Sequence, residues 1–397
     1  MKTIVFFSLP AYGHTNPTLP VVRALTERGH QVIYYSFSEF KERIENVGAI
    51  FVGCDAYLPK KSEEELDKQA GKDFAALIEM LADTTIALED KVVPELQEFQ
   101  PDCIVSDSLC LWGTLFARKL NLPYICSTTS FAFNQETAKL MRGSFVETLG
   151  LLLGMRRIRK KLRILRENGY EVEGLVSILQ NDNATDTIVY TAKSFQPYAE
   201  TFSKRFAFVG PSLELPEKSE VVSQDRPFAY ISLGTVFEDH VFIAQCIQAF
   251  RNENIDVILK TNSYIPHSTS LNVPENVTVQ KFVPQLEILQ KADVFLTHSG
   301  MNSVNESLYF GVPMVVFPQH SEQRLVAEQV IKTGTGVELK KGKKSYIRKA
   351  VQEIIKNPVY KQRAAKLGQA LQEAGGAREA ATKIEEKIKN GAIHSEG

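Results

Sequence analysis

The stretch Val283–Gln323 reads V-P-Q-L-E-I-L-Q-K-A-D-V-F-L-T-H-S-G-M-N-S-V-N-E-S-L-Y-F-G-V-P-M-V-V-F-P-Q-H-S-E-Q. Val294–Thr297 is a short apolar strand, and His298-Ser299-Gly300 is its tight exit. Asn302–Phe310 follows as a helix, and Gly311 stands where a glycine past a helix terminus ends it. Val312–Phe317 is the next buried strand, and Glu322-Gln323 opens another helix. A strand, a glycine turn and a helix N-terminus make an anion site, because backbone N–H groups and the helix dipole point at one spot. Asn302 and Ser303 add side-chain donors in the first turn. Glu306 lies on their face one turn deeper. A carboxylate there repels phosphate but suits sugar hydroxyls. Donors for phosphate followed by a carboxylate for a ribose diol is the layout a nucleoside diphosphate requires.

The pattern P-Q…H-x-G-x-N-S-x-x-E…G-V-P…P…E-Q resembles the donor-binding signature of the UDP-glycosyltransferases, the family-1 enzymes of GT-B fold. It is most similar to the bacterial macrolide and flavonoid members. Many typed positions at fixed spacing, in a strand–turn–helix context, make this motif specific.

Outside this stretch the chain alternates strand and helix. Thr3–Leu9, Gln31–Ser36 and Ala49–Cys54 read as strands separated by helices at 18–28 and 39–46. Pro10–Pro17 reads as a loop and 72–99 as helical. Asp102–Ser106, Pro123–Thr128, Thr187–Thr191 and Ala207–Val209 are further strands. The order β-α-β-α-β implies a doubly wound parallel sheet. The polar, proline-flanked segment 211–227 reads as a linker, after which the α/β pattern restarts at Phe228. The expected architecture is α/β, with two Rossmann-like, doubly wound parallel-sheet domains; the resemblance implies that they face a cleft in the GT-B manner. The expected bounds are 1–212 for an acceptor-binding domain, 213–227 for the linker and 228–375 for a nucleotide-sugar-binding domain. By resemblance, the C-terminal helix 376–397 packs back on the first domain.

The chain has 397 residues, 44% hydrophobic and 23% charged, with net charge -1. That balance is globular and recommends no nucleic-acid partner. Cys54, Cys103, Cys110, Cys126 and Cys246 form no C-x-x-C pair, so reduced, buried thiols are expected. The apolar run Ile4–Phe7 is too short for a signal peptide, and no run approaches the ~20 apolar residues of a membrane span. The expected location is the cytoplasm. The segment 140–166 ends in R-R-I-R-K-K-L-R-I-L-R. A basic amphipathic helix can lie on an anionic membrane, but a solvated basic face is the commoner outcome, so membrane association is not expected.

The loop A-Y-G-H-T-N-P sets His14 at the C-terminal edge of the first sheet, where open α/β sheets bind ligands. Asp107 follows a later strand to the same edge. A histidine there can take a proton from a hydroxyl, and a carboxylate beside it can fix its tautomer. The resemblance to the family's G-H-x-N-P loop raises His14 from a hydrogen-bonded loop residue to a general base, with Asp107 as partner. Asp102 precedes its strand and belongs at the wrong edge. Thr128-Thr129-Ser130 either touch substrate or cap the following helix.

In the second half, Ser232-Leu233-Gly234-Thr235 ends a strand in a small-residue turn open to phosphate. The resemblance implies that Thr235 contacts the β-phosphate and that Phe237 lies by the uracil, with plain core packing as the alternative for Phe237. Val283 stands where plant relatives carry a tryptophan-containing segment, and Gln285 is placed to reach the ribose. His298 is expected to donate to the pyrophosphate together with Gly300, Asn302 and Ser303. Glu322 and Gln323 match the family's acidic-Gln pair, which by resemblance bonds hydroxyls of a hexose, or else complement the helix dipole. No Asp-x-Asp occurs, and no histidine or carboxylate stands at zinc-like spacing from His298, so no metal is expected. Dinucleotide, Walker A and nucleophile-elbow motifs are absent.

Together these readings imply an inverting, metal-independent glycosyltransferase. It would move a hexose from UDP-glucose or a related nucleotide sugar to a small hydroxylated apolar acceptor, a flavonoid, another phenol or a macrolide. No cofactor is expected, the UDP-sugar being a co-substrate. A nucleotide-sugar epimerase and a non-catalytic sugar-nucleotide-binding protein are the alternatives.

Overall fold

The computed structural model describes the chain outside residues 58–73, 139–144, 173, 175–183, 216–225, 235–239, 262–272, 320 and 396–397. It divides into two compact units, Met1–Leu213 with Ala374–Gly397, and Glu214–Glu373. Of the expected linker, 216–225 lie outside the described residues.

The first unit is built on the parallel strands β1 (Thr3–Phe7), β2 (Gln31–Ser36), β3 (Ile50–Gly53), β4 (Cys103–Asp107), β5 (Tyr124–Thr128), β6 (Thr187–Val189) and β7 (Phe206–Phe208). Their order is β3-β2-β1-β4-β5-β6-β7. Its helices are α1 (Tyr12–Thr15), α2 (Leu19–Glu27), α3 (Lys41–Glu45), α4 (Phe74–Phe99), α5 (Leu111–Lys119), α6 (Gln135–Ala138) and α7 (Phe145–Glu167).

Side-chain alternation along a strand explains why the central strands are apolar throughout. Val5 and Phe7 join Ile33, Tyr35 and Ile104 in a core covered by Ile78, Leu81, Val92, Phe116, Ile158 and Leu162. Ile4 and Phe6 point the other way and join Val32, Tyr34 and Val105 under Val21, Leu25, Ile44 and Ile384. Both faces are therefore buried, and function is left to the strand ends. The chain winds outward from β1 to β3 and returns to β4 beside β1, so the topological switch lies between β1 and β4.

The segment 10–17, expected as a loop, is instead mostly helical. Ala11 is extended, and its carbonyl accepts from the N–H groups of His14 and Thr15 to start α1. Asn16–Thr18 continue as a 3-10 turn, with Pro17 at a first-turn position where no N–H is needed.

The second unit carries β8 (Phe228–Ser232), β9 (Asp256–Lys260), β10 (Val277–Gln280), β11 (Val294–Thr297), β12 (Met314–Val316) and β13 (Gly336–Glu338). They are parallel in the order β10-β9-β8-β11-β12-β13, so the switch lies between β8 and β11. Its helices are α8 (His240–Ala249), α9 (Gln285–Leu289), α10 (Met301–Tyr309), α11 (Ser321–Thr333), α12 (Lys344–Lys356) and α13 (Pro358–Glu373). Gly311 adopts φ 68 just past α10, the left-handed cap its position implied.

The C-terminal α14 (Gly376–Ser395) lies on the first unit. Ala380, Ala381, Ile384 and Ile388 are buried in the Ile4 core. Arg28 bonds Glu385 and Thr382 through Nη1, and His30 Nε2 is 2.9 Å from Glu385 Oε1. The five cysteines are free and buried. Among the described residues no helix is long and apolar enough to cross a membrane.

Candidate active site

At the switch point of the first sheet, β1 leads into α1 and presents His14, while β4 ends on Asp107. His14 Nδ1 lies 2.8 Å from Asp107 Oδ2. The Asp107 side chain is 1% exposed and that of His14 21%. Leu109 donates its N–H to Asp107 Oδ1 at 2.8 Å, which fixes the carboxylate plane. A carboxylate facing Nδ1 selects the tautomer with hydrogen there, and so makes Nε2, across the ring, the basic nitrogen. Thr129 Oγ1 approaches the same Nδ1 at 3.3 Å. Of the two readings of 128–130, capping fails: Asn134 Oδ1 caps α6, accepting from Glu136 and Thr137. Asp102 sits at the opposite edge, bonded to Lys2 Nζ and to the Thr3 N–H, each at 2.8 Å.

At the switch point of the second sheet, β8 exits at Gly234 and β11 at His298-Ser299-Gly300. The His298 ring lies against two glycines. A Cβ on Gly234 would stand 2.8 Å from His298 Cε1, and one on Gly300 would stand 2.6 Å from Nε2. Gly234 also adopts φ +85, which disfavours a side chain regardless of space. Ser299 takes φ 71 while fully buried, and its Oγ has no hydrogen-bond partner among the described residues. Backbone strain and an orphaned hydroxyl at one residue are features that concentrate at functional sites. The α10 helix begins at Met301, one residue earlier than expected, with Gly300 as its N-cap. Its first turn carries Asn302 and Ser303, both partly exposed.

Below them, Gln285 at the start of α9 gives its Nε2 to Glu306 Oε2 at 2.5 Å and to Ser303 Oγ at 3.3 Å. Burial pushes the Glu306 carboxyl up to about 7, opposed by the Gln285 bond and by the charge of Lys260. Lys260 ends β9 in register with Ser232; burial lowers its pKa, and Glu306 pulls the other way. Sequence reading missed Lys260. The only signal was a single cation closing the apolar strand D-V-I-L-K. It also missed Tyr230, whose hydroxyl donates to Gln285 Oε1 at 2.9 Å.

Val283 is buried. Gln323 Oε1 accepts the Gln319 N–H at 2.8 Å, while Glu322 is exposed in the first turn of α11. Thr235 and Phe237 lie outside the described residues. Among the described residues no group of three or more His, Cys, Asp or Glu side chains is disposed to hold a metal ion.

Two doubly wound units, each with polar residues gathered at its switch point, are the parts from which a GT-B fold is built. The family model described as "UDP-glucoronosyl and UDP-glucosyl transferase" matches residues 214–373. An NDP-glycosyltransferase, YjiC, of Bacillus subtilis strain 168 is 36% identical over 98% of this chain and 98% of its own. A demethyllactenocin mycarosyltransferase of Streptomyces fradiae is 30% identical over 85% of this chain and 75% of its own. The crystal structure of the glycotransferase of kitacinnamycin superposes with a TM-score of 0.83 at 25% identity, covering 97% of this chain and 99% of its own. The chain belongs to the UDP-glucuronosyl and UDP-glucosyl transferase family and is a glycosyltransferase of GT-B fold.

Proposed function

We propose that the protein is an inverting glycosyltransferase that moves a hexose, glucose first, from a UDP-sugar to a hydroxyl of a small apolar acceptor. The observation that carries this reading is the His14–Asp107 contact at 2.8 Å on the ligand-binding edge of the first sheet. In the proposed reaction His14 Nε2 takes the acceptor's hydroxyl proton as the oxygen attacks the anomeric carbon. A new C–O glycosidic bond forms on the face opposite the nucleotide. The bond from the anomeric carbon to the β-phosphate oxygen breaks, and UDP leaves with the electron pair. Asp107 stabilises the imidazolium that results.

The leaving diphosphate gains negative charge as that bond breaks. The N-terminus of α10, with His298, Asn302 and Ser303, offers donors and a helix dipole suited to that charge. We therefore read the reaction as metal-independent, with no cofactor besides the donor. Gln285 and Glu306 suit the ribose, whose two hydroxyls can donate to the carboxylate; a deoxyribonucleotide offers one fewer. Thr235, Phe237 and Val283 are assigned to phosphate and base, and Glu322 and Gln323 to the hexose, on the family motif alone. The Bacillus relative is an NDP-glycosyltransferase, a name that leaves the nucleotide base open, and the Streptomyces relative is a demethyllactenocin mycarosyltransferase. The second supports a natural-product acceptor; a phenol, flavonoid or macrolide is our reading from the family motif. The buried free thiols suit a reducing cytoplasm.

The test is product stereochemistry. The protein, with EDTA present, is incubated with UDP-glucose and a panel of phenols and macrolides, and any hexose adduct is examined by NMR. The donor's glucose is α-linked, so a β-glucoside supports inversion. An α-glucoside contradicts it. Nucleotide binding with no adduct from any acceptor contradicts the donor–acceptor assignment.

A further inference from the structure

Tyr230 is fully buried in the middle of β8, its ring stacked on Phe295 with centroids 4.8 Å apart and planes 10° apart. Its hydroxyl lies within a hydrogen-bonded chain. Tyr230 donates to Gln285 Oε1 at 2.9 Å. Gln285 Nε2 then serves Glu306 Oε2 at 2.5 Å and Ser303 Oγ at 3.3 Å. The chain runs from the middle of β8 through α9 to the first turns of α10.

We propose that Tyr230 is a positioning residue of the donor site, holding the Gln285 carboxamide so that its nitrogen serves Glu306 and Ser303. The inference rests on the proposed reading that Gln285 and Glu306 hold the nucleotide. A carboxamide has one accepting end and one donating end. With Tyr230 bonded to Oε1, the amide has a fixed plane, and only Nε2 is presented to the α10 side. Without that bond the long glutamine side chain regains rotamer freedom, which nucleotide binding must then remove. Tyr230 needs no contact with donor to act in this way.

The experiment is a double-mutant cycle on UDP affinity, measured by calorimetry with UDP itself. Tyr230→Phe keeps the ring and its stacking on Phe295 and removes only the hydroxyl. The expected result is a rise in the UDP Kd of roughly 3–10-fold, the weight of one buried hydrogen bond. Gln285→Ala raises it at least as much, and the double variant is no weaker than Gln285→Ala alone. In turnover assays the donor KM rises and the acceptor KM does not. Melting temperatures of the three variants establish that each is folded. An unchanged Kd in Tyr230→Phe, with a raised one in Gln285→Ala, overturns the positioning role and leaves the donor-site reading intact. Additive losses also overturn it, since they show that Tyr230 acts independently of Gln285. An unchanged Kd in Gln285→Ala removes the proposal together with the donor-site reading.

Discussion

His14 Nδ1 and Asp107 Oδ2 lie 2.8 Å apart although 93 residues separate them in the chain. Adjacent parallel strands bring them together: β1 pairs with β4 with Phe7 opposite Ser106, so the two exits stand side by side. The carboxylate is buried and held by the Leu109 N–H, while the imidazole keeps a solvent-facing part. This layout suits the base proposed above, with its tautomer fixed from behind by the carboxylate.

Asp107→Asn tests that tautomer argument. The amide nitrogen cannot accept from His14 Nδ1–H, so the ring turns over its tautomer or its orientation and Nε2 stops accepting a proton. We expect the transfer rate to fall about 10²–10⁴-fold, with the UDP Kd unchanged. Steady-state rates beside calorimetry check both halves. A variant that stays folded and transfers at the normal rate removes Asp107 from the mechanism.

Gly300→Ala tests the seat of His298. Its Cβ would stand 2.6 Å from Nε2, so the ring must move off Gly234. We expect UDP affinity to fall about tenfold or more, in line with the ~1–3 kcal/mol of a steric change in a packed site. Gly29→Ala is the control. Gly29 also has positive φ, +82, but nothing lies within 4 Å of its added Cβ. It should lower stability by roughly 1 kcal/mol and leave UDP binding alone. Equal UDP affinities in the two variants would contradict the His298 placement.

Glu306 makes stability depend on pH with a defined sign. Burial raises its folded pKa from 4.5 to about 7. Between those values the native protein holds a proton that the unfolded chain has lost, so this residue's contribution to stability falls as pH rises through the window. Below pH 4.5 and above about 7 it is constant. Glu306→Gln removes the ionisation while keeping the shape. Its melting temperature should therefore gain on the wild type steadily from pH 4.5 to about 7 and then level off. Lys260→Met, which removes a cation that opposes the shift, should extend that decline to higher pH than in the wild type. A constant difference between Glu306→Gln and wild type across the window counts against a buried, titrating carboxylate.

The His14–Asp107 edge was legible in the sequence, because wholly apolar runs such as Ile4–Phe7 announce buried parallel strands and such strands carry function at their C-terminal ends. The strand–glycine–helix turn at 298–303 was legible for a related reason: strand, glycine and helix start occur in sequence order. What local pattern could not give were contacts made by register and side-chain reach. Tyr230 meets Gln285 across 55 residues, and Gln285 meets Glu306 across 21, through the packing of β8, α9 and α10. Tyr230 therefore carried no signal beyond its place in an apolar strand. Thr129 became a neighbour of His14 only through the arrangement of β1, β4 and β5, and the capping alternative could be settled only once Asn134 was seen to cap α6. Segment 10–17 misled because its two prolines and a glycine signal a loop, whereas the Ala11 carbonyl starts a helical turn.

The most direct test of the central claim is a single-turnover transfer measurement on His14→Ala, with the UDP dissociation constant of the same preparation determined alongside. The account predicts a Kd within about twofold of wild type and a transfer rate lower by about 10²–10⁴, because only the proton acceptor has been removed. A folded His14→Ala that binds UDP normally and transfers hexose at the wild-type rate would contradict it, and the base would have to be sought elsewhere.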